Sequence, residues 1–402
     1  MKTVLFLGAG RHQRSAILRA KELGIRVAAF DGNPKALALP DADIPMVIDF
    51  CDIPAAIEAA RGIGPDGVLT ITSDRAVPAV AAVAEALGLP GIGVDAARGL
   101  THKVEMRRRL ERAGVPQPGF GSARSLEEAA EVIEKIGLPV VIKPADSGGQ
   151  RGVFLLDSVL QLGARFAESQ TASPTGEVIV EQFIDGIEMN AMAVVRDGAV
   201  VPLTVSDRLR PPGIGFCVGW IHTYPASLDP SRWPEVDEIV VRTVEALGLR
   251  NGIAFPQLIV GKDGAIRVVE VAARIPGGQM GDLVRHAVGV DLVDVALHQA
   301  LGDDIPDESC LPRFRQPVAI RFFTAQPGPL PTGLVRSAAS LERVFAAPGV
   351  VQAESYIVPG ETIRPVRLDG DRRGYVIATG SSGPEALARA EAAAALVEVE
   401  VE

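Results

Sequence analysis

Residues 140–153, VVIKPADSGGQRGV, place a lysine near the end of an apolar run and a glycine-rich segment directly after it. Lys143 supplies positive charge at a strand end. Ser147, Gly148 and Gly149 supply backbone N–H groups that can approach a ligand closely, because glycine has no Cβ to hold it away. The combination suits a polyphosphate: the ammonium offsets charge and the loop cradles phosphate oxygens. Taken alone, the same residues also describe a lysine at an edge strand before a flexible turn. The weight of the reading comes from two segments further along the chain.

The first is EQFIDGIEMN, residues 181–190. A strand running into a tight turn here, through Glu181, Gln182, Phe183 and Ile184, offers backbone N–H and C=O groups to the edge of an adenine. Phe183 and Ile184 add apolar packing. Glu188 is placed to accept bonds from ribose hydroxyls, or it is a surface carboxylate at a strand end. The second is GIAFPQLIVGKDGAIRVVEVAARIPGG, residues 252–278. It reads as a hairpin turning at Lys262, Asp263 and Gly264. Gln257 and Glu270 stand at similar distances from that turn, so their side chains can converge on one sheet face. Glu270 lies in the apolar run VVEVAA, where a carboxylate is costly unless paired or metal-bound. Mg2+ takes oxygen ligands, commonly one or two carboxylates completed by phosphates and water. Arg274 follows with a planar fork suited to a phosphate or carboxylate. Pro276, Gly277 and Gly278 form a turn before a helix.

The elements that must carry these residues are legible in outline. Residues 1–97 alternate apolar strands with helices, which implies a parallel, doubly wound sheet. Gly8, Gly10 and Asp31 echo a dinucleotide fingerprint, but Gln13 stands where its third glycine belongs, so a scaffold is favoured over a nicotinamide site. Residues 98–115 read as one amphipathic helix ended by Pro116 and Pro118, with Arg107, Arg108 and Arg109 as a solvated face. A hairpin is expected to turn at Asp197 and Gly198. Residues 208–226, with three prolines and three glycines, read as a long functional loop. That loop carries Arg208 and His222, the latter either a packed loop histidine or a substrate contact. His12, in the first βα loop, faces the same choice. Residues 282–302 read as one helix. Short strands dominate from about 309, followed by an alanine-rich helix and the alternating VEVEVE.

Bulk composition narrows the function. At 402 residues the chain is long enough for two or three cores. A net charge of −10 leaves no basic excess to displace counterions from nucleic acid. The three cysteines are far apart and without metal-ligand spacing, which fits a reduced cytoplasm. No apolar run approaches a membrane span, and the first strand is too short for a secretory core. No Ser/His/Asp or Cys/His constellation stands out.

The lysine–glycine loop, the 181–190 segment and EVAARIPGG followed by DLVRHAVGVDL together resemble the ATP-grasp superfamily of ADP-forming carboxylate–amine ligases. With the loop ending HTYPASL, the chain is most similar to the L-amino acid ligase, dipeptide-forming branch. Biotin carboxylase, carbamoyl-phosphate synthetase and the purine-pathway ligases are more distant relatives. The resemblance implies an α/β chain, α+β overall. It would comprise a Rossmann-like domain (1–97), a two-part ATP-grasp domain (98–308, lid about 116–186) and a small C-terminal α/β domain (309–402). It implies ATP and Mg2+, with Mn2+ as a substitute. Lys103, in THKVEM, would be the first phosphate lysine and Lys143 the second. Residues 181–184 would form the adenine hinge, Glu188 would hold the ribose, and Gln257 and Glu270 would be the metal positions. Arg274 would hold the acyl phosphate or substrate carboxylate. Two departures stand out: many members carry glutamate where this chain has Gln257, and asparagine where it has Ala272. The partners implied are a small carboxylate and an amine; homodimers occur among relatives. A purine- or bicarbonate-type ligase and a non-catalytic ATP binder are the competing readings. Alanine at Lys143 or Glu270 is expected to abolish turnover and leave the fold intact.

Overall fold

The computed structural model describes residues 1–210 and 218–402. Its first layer is a parallel four-stranded sheet with spatial order Ile44–Val47, Arg26–Asp31, Thr3–Leu7, Gly67–Leu69. Helices Arg14–Glu22 and Ile53–Ile63 each join two of these strands and Val77–Leu87 follows the last, in the β/α alternation the sequence predicts. The strands are nearly continuous apolar runs because helices cover both faces. At the first βα turn, Gln13 fills the space a third glycine would leave open: its amide donates to the Ile71 carbonyl (2.8 Å) and Thr72 Oγ1 (2.7 Å). Asp31 is occupied too, accepting from the N–H of Ala9 and of Asn33.

The second layer is an antiparallel sheet ordered Phe120–Ala123, Val178–Gln182, Val140–Pro144, Phe154–Leu156. Helices Leu126–Ile136 and Leu162–Thr171 pack on it, with Phe166, Ile133 and Ile142 in their shared core. The third is an eight-stranded sheet ordered Ile266–Ala272, Gly252–Gly261, Gly186–Arg196, Ala199–Leu209, Ile221–Tyr224, Val318–Phe322, Gly374–Thr379, Val350–Ser355. This sheet runs unbroken from the hairpins before residue 308 into the strands after it. The hairpin at Asp197 and Gly198 turns through two left-handed residues (φ 52° and 87°), as a primed turn requires.

Three local expectations are corrected. Residues 98–115 are two helices, Val94–Thr101 and Lys103–Arg112, interrupted at the extended His102. The His102 ring accepts from the N–H of Glu105, so the break starts a second helix with Lys103 at its first position. Residues 282–302 are likewise split, because Gly289 takes a left-handed conformation and Asp291 caps the next helix, Leu292–Ala300. Finally, Arg208 and His222 are not loop residues. They lie opposite each other on the paired strands Ala199–Leu209 and Ile221–Tyr224; the expected loop between them falls mostly on 211–217, outside the described residues.

The N-terminal layer is seated against the rest through close backbone contact. A Cβ on Gly67 would lie 2.3 Å from the carbonyl oxygen of Ala300, at the end of helix Leu292–Ala300. Gly67→Ala is expected to lower stability by about 1–3 kcal/mol through overpacking. A denaturant midpoint equal to that of the parent protein would show that this seam yields freely.

Candidate active site

The site starts from the break at His102. With Lys103 at the first turn of its helix, Arg107 lies four residues on and shares its face. Arg107 is 1% exposed, so the solvated-face reading of the arginine run fails for it, while Arg108 is exposed. Its guanidinium donates to Glu181 Oε1 (2.8 Å) and to the carbonyls of Val268 (2.8 Å) and Val269 (2.5 Å). The other oxygen of Glu181 meets Lys143 Nζ at 2.8 Å. One carboxylate thus joins the helix and two strands of the antiparallel sheet, and Arg107 extends the link to the hairpin of the large sheet. Burial by itself would raise the Glu181 pKa. The Arg107 and Lys143 charges outweigh it and hold the group at about 2.

Lys103 Nζ donates to the carbonyl of Ser147 (2.7 Å) in the glycine-rich loop and stands 3.5 Å from Glu270 Oε1. Gln257 and Glu270 are direct cross-strand partners, beside a register shift between Gln257 and Leu258. The Glu270 carboxylate opens onto the cleft. Burial of its surroundings pushes its pKa up, but Lys103, Lys143 and Arg274 prevail over that and over Glu181, so the net shift is downward. Arg274 donates to Asp74 Oδ2 (2.5 Å), in the turn that follows the parallel strand Gly67–Leu69. Its Nε is buried with no hydrogen-bond partner among the described residues.

All the nucleotide candidates border one cleft of ≈ 290 Å³ between the two antiparallel sheets: Lys103, Lys143, Ser147 to Gly149, Glu181 to Ile184, and Glu188. Gln257, Glu270 and Arg274 border it as well. Two details differ from expectation. The N–H groups of Gln182 and Phe183 already donate to the carbonyls of Gly119 (2.8 Å) and Pro139 (3.1 Å). Adenine contacts from this stretch would therefore use its carbonyls or Ile184. Glu188 is flanked by Arg208 and Arg210, each at 2.5 Å, so a ribose would share that carboxylate with two guanidinium groups.

A second cavity of ≈ 500 Å³ adjoins the first and shares Arg208, Gln257 and Arg274 with it. It holds the remaining candidates, His222, Gly277 and Gly278, and also His12. His222 is buried; its Nδ1 lies 3.2 Å from the amide nitrogen of Asn190. Burial first, then Arg372 and Arg208, push its pKa well below the usual value, so the ring is neutral. Gly278 comes so close that a Cβ there would lie 3.3 Å from His222 Nε2.

Sequence reasoning missed Arg107, Asp74, Asn190 and Arg372. The spacing from Lys103 pointed to Arg107. Asn190, two residues from Glu188 on one strand, had to share its face. Asp74 follows the C-terminal edge of a parallel strand, where ligands of such sheets gather. Nothing local marked Arg372, which reaches the cavity from the last third of the chain.

The donor set fits a metal held together with phosphates. Among the described residues no group of three or more His, Cys, Asp or Glu side chains could hold an ion alone. Gln257 and Glu270 supply two oxygens, and Ala272 supplies none. The rest of a Mg2+ shell would come from phosphate and water.

Residues 102–308 match the family model of the carbamoyl-phosphate synthase L chain, ATP-binding domain, and residues 321–402 match L-amino acid ligase C-terminal domain 2. The chain belongs to the ATP-grasp carboxylate–amine ligase family. The y4rH protein of Sinorhizobium fredii is 28% identical over 78% of this chain, which spans 64% of that protein's length. A formate-dependent phosphoribosylglycinamide formyltransferase of Ignicoccus hospitalis is 27% identical over 98% of this chain and 95% of its own. The crystal structure of an L-amino acid ligase from Bacillus licheniformis superposes with a TM-score of 0.83 at 23% identity, covering 100% of this chain and 99% of that one. This likeness establishes the ATP-grasp fold, with its mixed α/β layers. No helix among the described residues is long and apolar enough to cross a membrane.

Glu181 makes acid stability a direct readout of the site. Its pKa is lowered from 4.5 to about 2, so its contribution is complete above pH 4.5 and is lost as pH falls toward about 2. Glu181→Gln is expected to cost about 3–5 kcal/mol at neutral pH, because two buried cations lose their anion. Denaturation across this pH range should show a flatter stability profile for the variant than for the parent protein.

Proposed function

We propose that the protein is an ATP-dependent, ADP-forming ligase that joins a carboxylate, of an L-amino acid in the first instance, to an amine or a second amino acid. One observation carries this reading. The phosphate loop, Lys103, Lys143, the Gln257–Glu270 pair and Arg274 line one cleft that opens onto a second cavity large enough for small substrates. The match of residues 321–402 to an L-amino acid ligase domain supports the choice of an amino acid.

In this reading a substrate carboxylate oxygen attacks the γ-phosphorus of ATP, ADP leaves, and an acyl phosphate results. Lys103 and Lys143 bind and orient the phosphates, and their charge offsets what develops during transfer. Gln257 and Glu270 would hold Mg2+, which when bound supplies further charge neutralisation on the phosphates. The amine then attacks the acyl carbon, phosphate leaves, and an amide bond forms. Arg274 faces the junction of the two cavities and stabilises the oxyanion of that step. Phosphorylation activates the carboxylate, so no protein nucleophile is needed.

The structure changes one expectation about variants. Lys143→Ala cannot leave the fold untouched, because it strands the buried Glu181 beside Arg107 alone. Glu270→Ala is the cleaner probe, since its carboxylate opens to the cleft.

The decisive experiment measures ADP and phosphate release with Mg2+ across single and paired L-amino acids, with products followed by mass spectrometry. Release that requires a particular pair, with the condensed product present, is the expected result. Glu270→Ala should lower turnover by about 100-fold or more and keep its melting temperature. Unchanged ADP production in that variant removes the metal role. Tight ATP binding with no release for any pair or other carboxylate would leave a non-catalytic binder.

A further inference from the structure

We infer that His102 is the positioning residue for Lys103: it caps the helix that presents this ammonium and, through Glu177, ties the helix start to the four-stranded antiparallel sheet. The inference rests on the ligase reading in taking Lys103 as a phosphate ligand; the fastening itself is read from geometry.

Lys103 stands where a cation is poorly placed. It is the first residue of helix Lys103–Arg112, and aligned peptide dipoles put partial positive charge at that end. It is also buried. Its side chain is held by the Ser147 carbonyl and by Glu270, and both of these residues border the cleft a nucleotide would enter. A phosphate that draws the ammonium away from them leaves its position dependent on the Lys103 backbone. What fixes that backbone lies outside the cleft, because His102 and Glu177 border neither of the two cavities.

A ring of contacts closes around the helix start. The Lys103 N–H donates to the carbonyl of Ala145 (2.7 Å), and the Ala145 N–H donates to the carbonyl of Glu177 (2.9 Å). Glu177 Oε2 lies 3.5 Å from His102 Nε2, and the peptide bond from His102 to Lys103 completes the circuit. Arg124 donates to the same carboxylate oxygen (3.1 Å), which holds Glu177 in place. Ala145 lies midway between Lys143 and Ser147. The ring therefore fastens Lys103 to the segment that carries the other lysine and the glycine-rich loop.

The imidazole serves both sides of this junction. Its Nδ1 accepts from the N–H of Glu105 (3.4 Å), which caps the helix. In a neutral ring an accepting Nδ1 leaves the proton on Nε2, the nitrogen that faces Glu177. The extended backbone of His102 (φ −106°, ψ 106°) ends helix Val94–Thr101 and lets the ring turn back onto the next helix. A serine or aspartate would cap as well. The ring adds a second polar atom, on its far side, that meets the sheet.

The test is calorimetric titration of the full-length protein with a non-hydrolysable ATP analogue and Mg2+. The proteins compared are the parent, His102→Ala, His102→Asn, Lys103→Ala and the double variant with alanine at both positions. His102→Ala should weaken binding about fivefold, the factor that corresponds to an ordinary lost N-cap. His102→Asn, whose amide oxygen can accept from the Glu105 N–H, should recover part of that affinity. In the Lys103→Ala background, His102→Ala should change affinity by less than about twofold, because no ammonium remains to be placed. Should His102→Ala not fold, His102→Asn takes its place in the cycle, and its loss must vanish in the Lys103→Ala background. Unchanged affinity in His102→Ala, an Asn variant no tighter than the Ala variant, or the same loss in both backgrounds would overturn the inference; the last is what a merely structural role gives. Failure of the ligase reading would register elsewhere, as nucleotide binding without turnover, since these titrations require none.

Discussion

Glu181 sits between Arg107 and Lys143 with almost no water around it, and the geometry of the cleft depends on that arrangement. A carboxylate so deeply buried is tolerable only because two cations and their hydrogen bonds meet it. Each cation belongs to a different element. Arg107 lies on the helix that begins at Lys103, and Lys143 ends the strand that leads into the glycine-rich loop. The same Arg107 reaches the carbonyls of Val268 and Val269, directly before Glu270. The relative placement of the glycine-rich loop, Lys103 and Glu270 therefore follows from one buried network. Well-packed apolar residues would often be as stable. They would not place the Lys143 ammonium on the cleft wall, where it can meet a polyphosphate.

Around this network the large sheet sets out the rest of the site by register. Arg208 and His222 are directly opposed, with Glu188 on the next strand ion-paired to Arg208, and Asn190, Gln257 and Glu270 stand in one cross-strand row. Directly opposed residues share a face, and these six polar residues line the cavities. The sheet continues into the strands after residue 308, and the turn leading into its strand Gly374–Thr379 delivers Arg372. The second cavity is thus built jointly by the family's ATP-binding segment and by the segment that matches the amino acid ligase domain. Under the proposed function that division would have a chemical sense: the nucleotide would be held by the ATP-binding segment, and the other substrates would meet residues from the last third of the chain as well. The lining of the first chamber sets four cationic side chains against four carboxylates, whereas arginines outnumber carboxylates in the second. In the first, carboxylates stay within reach of the cations. In the second they are already tied to arginines.

The sequence by itself determined a good deal. Apolar runs alternating with helices specified the parallel layer, because strand and helix periods differ. Asp197–Gly198 and Lys262–Gly264 specified two hairpins through their turn chemistry, and the second hairpin's symmetry put Gln257 opposite Glu270. The lysine–glycine loop marked one wall of the cleft. What only the tertiary structure decided concerns charge and long-range contact. Whether an arginine in an R-R-R run is solvated or buried depends on which residue faces the sheet, and a break at His102 set that phase. Whether a run rich in proline and glycine holds paired strand ends depends on a partner strand nearly a hundred residues away. Arg372 and Asp74 reach the site across separations of that order, and no local pattern encodes such proximity. Spacing along the chain reports local periodicity; the electrostatic balance of a cavity is a property of what the fold brings together.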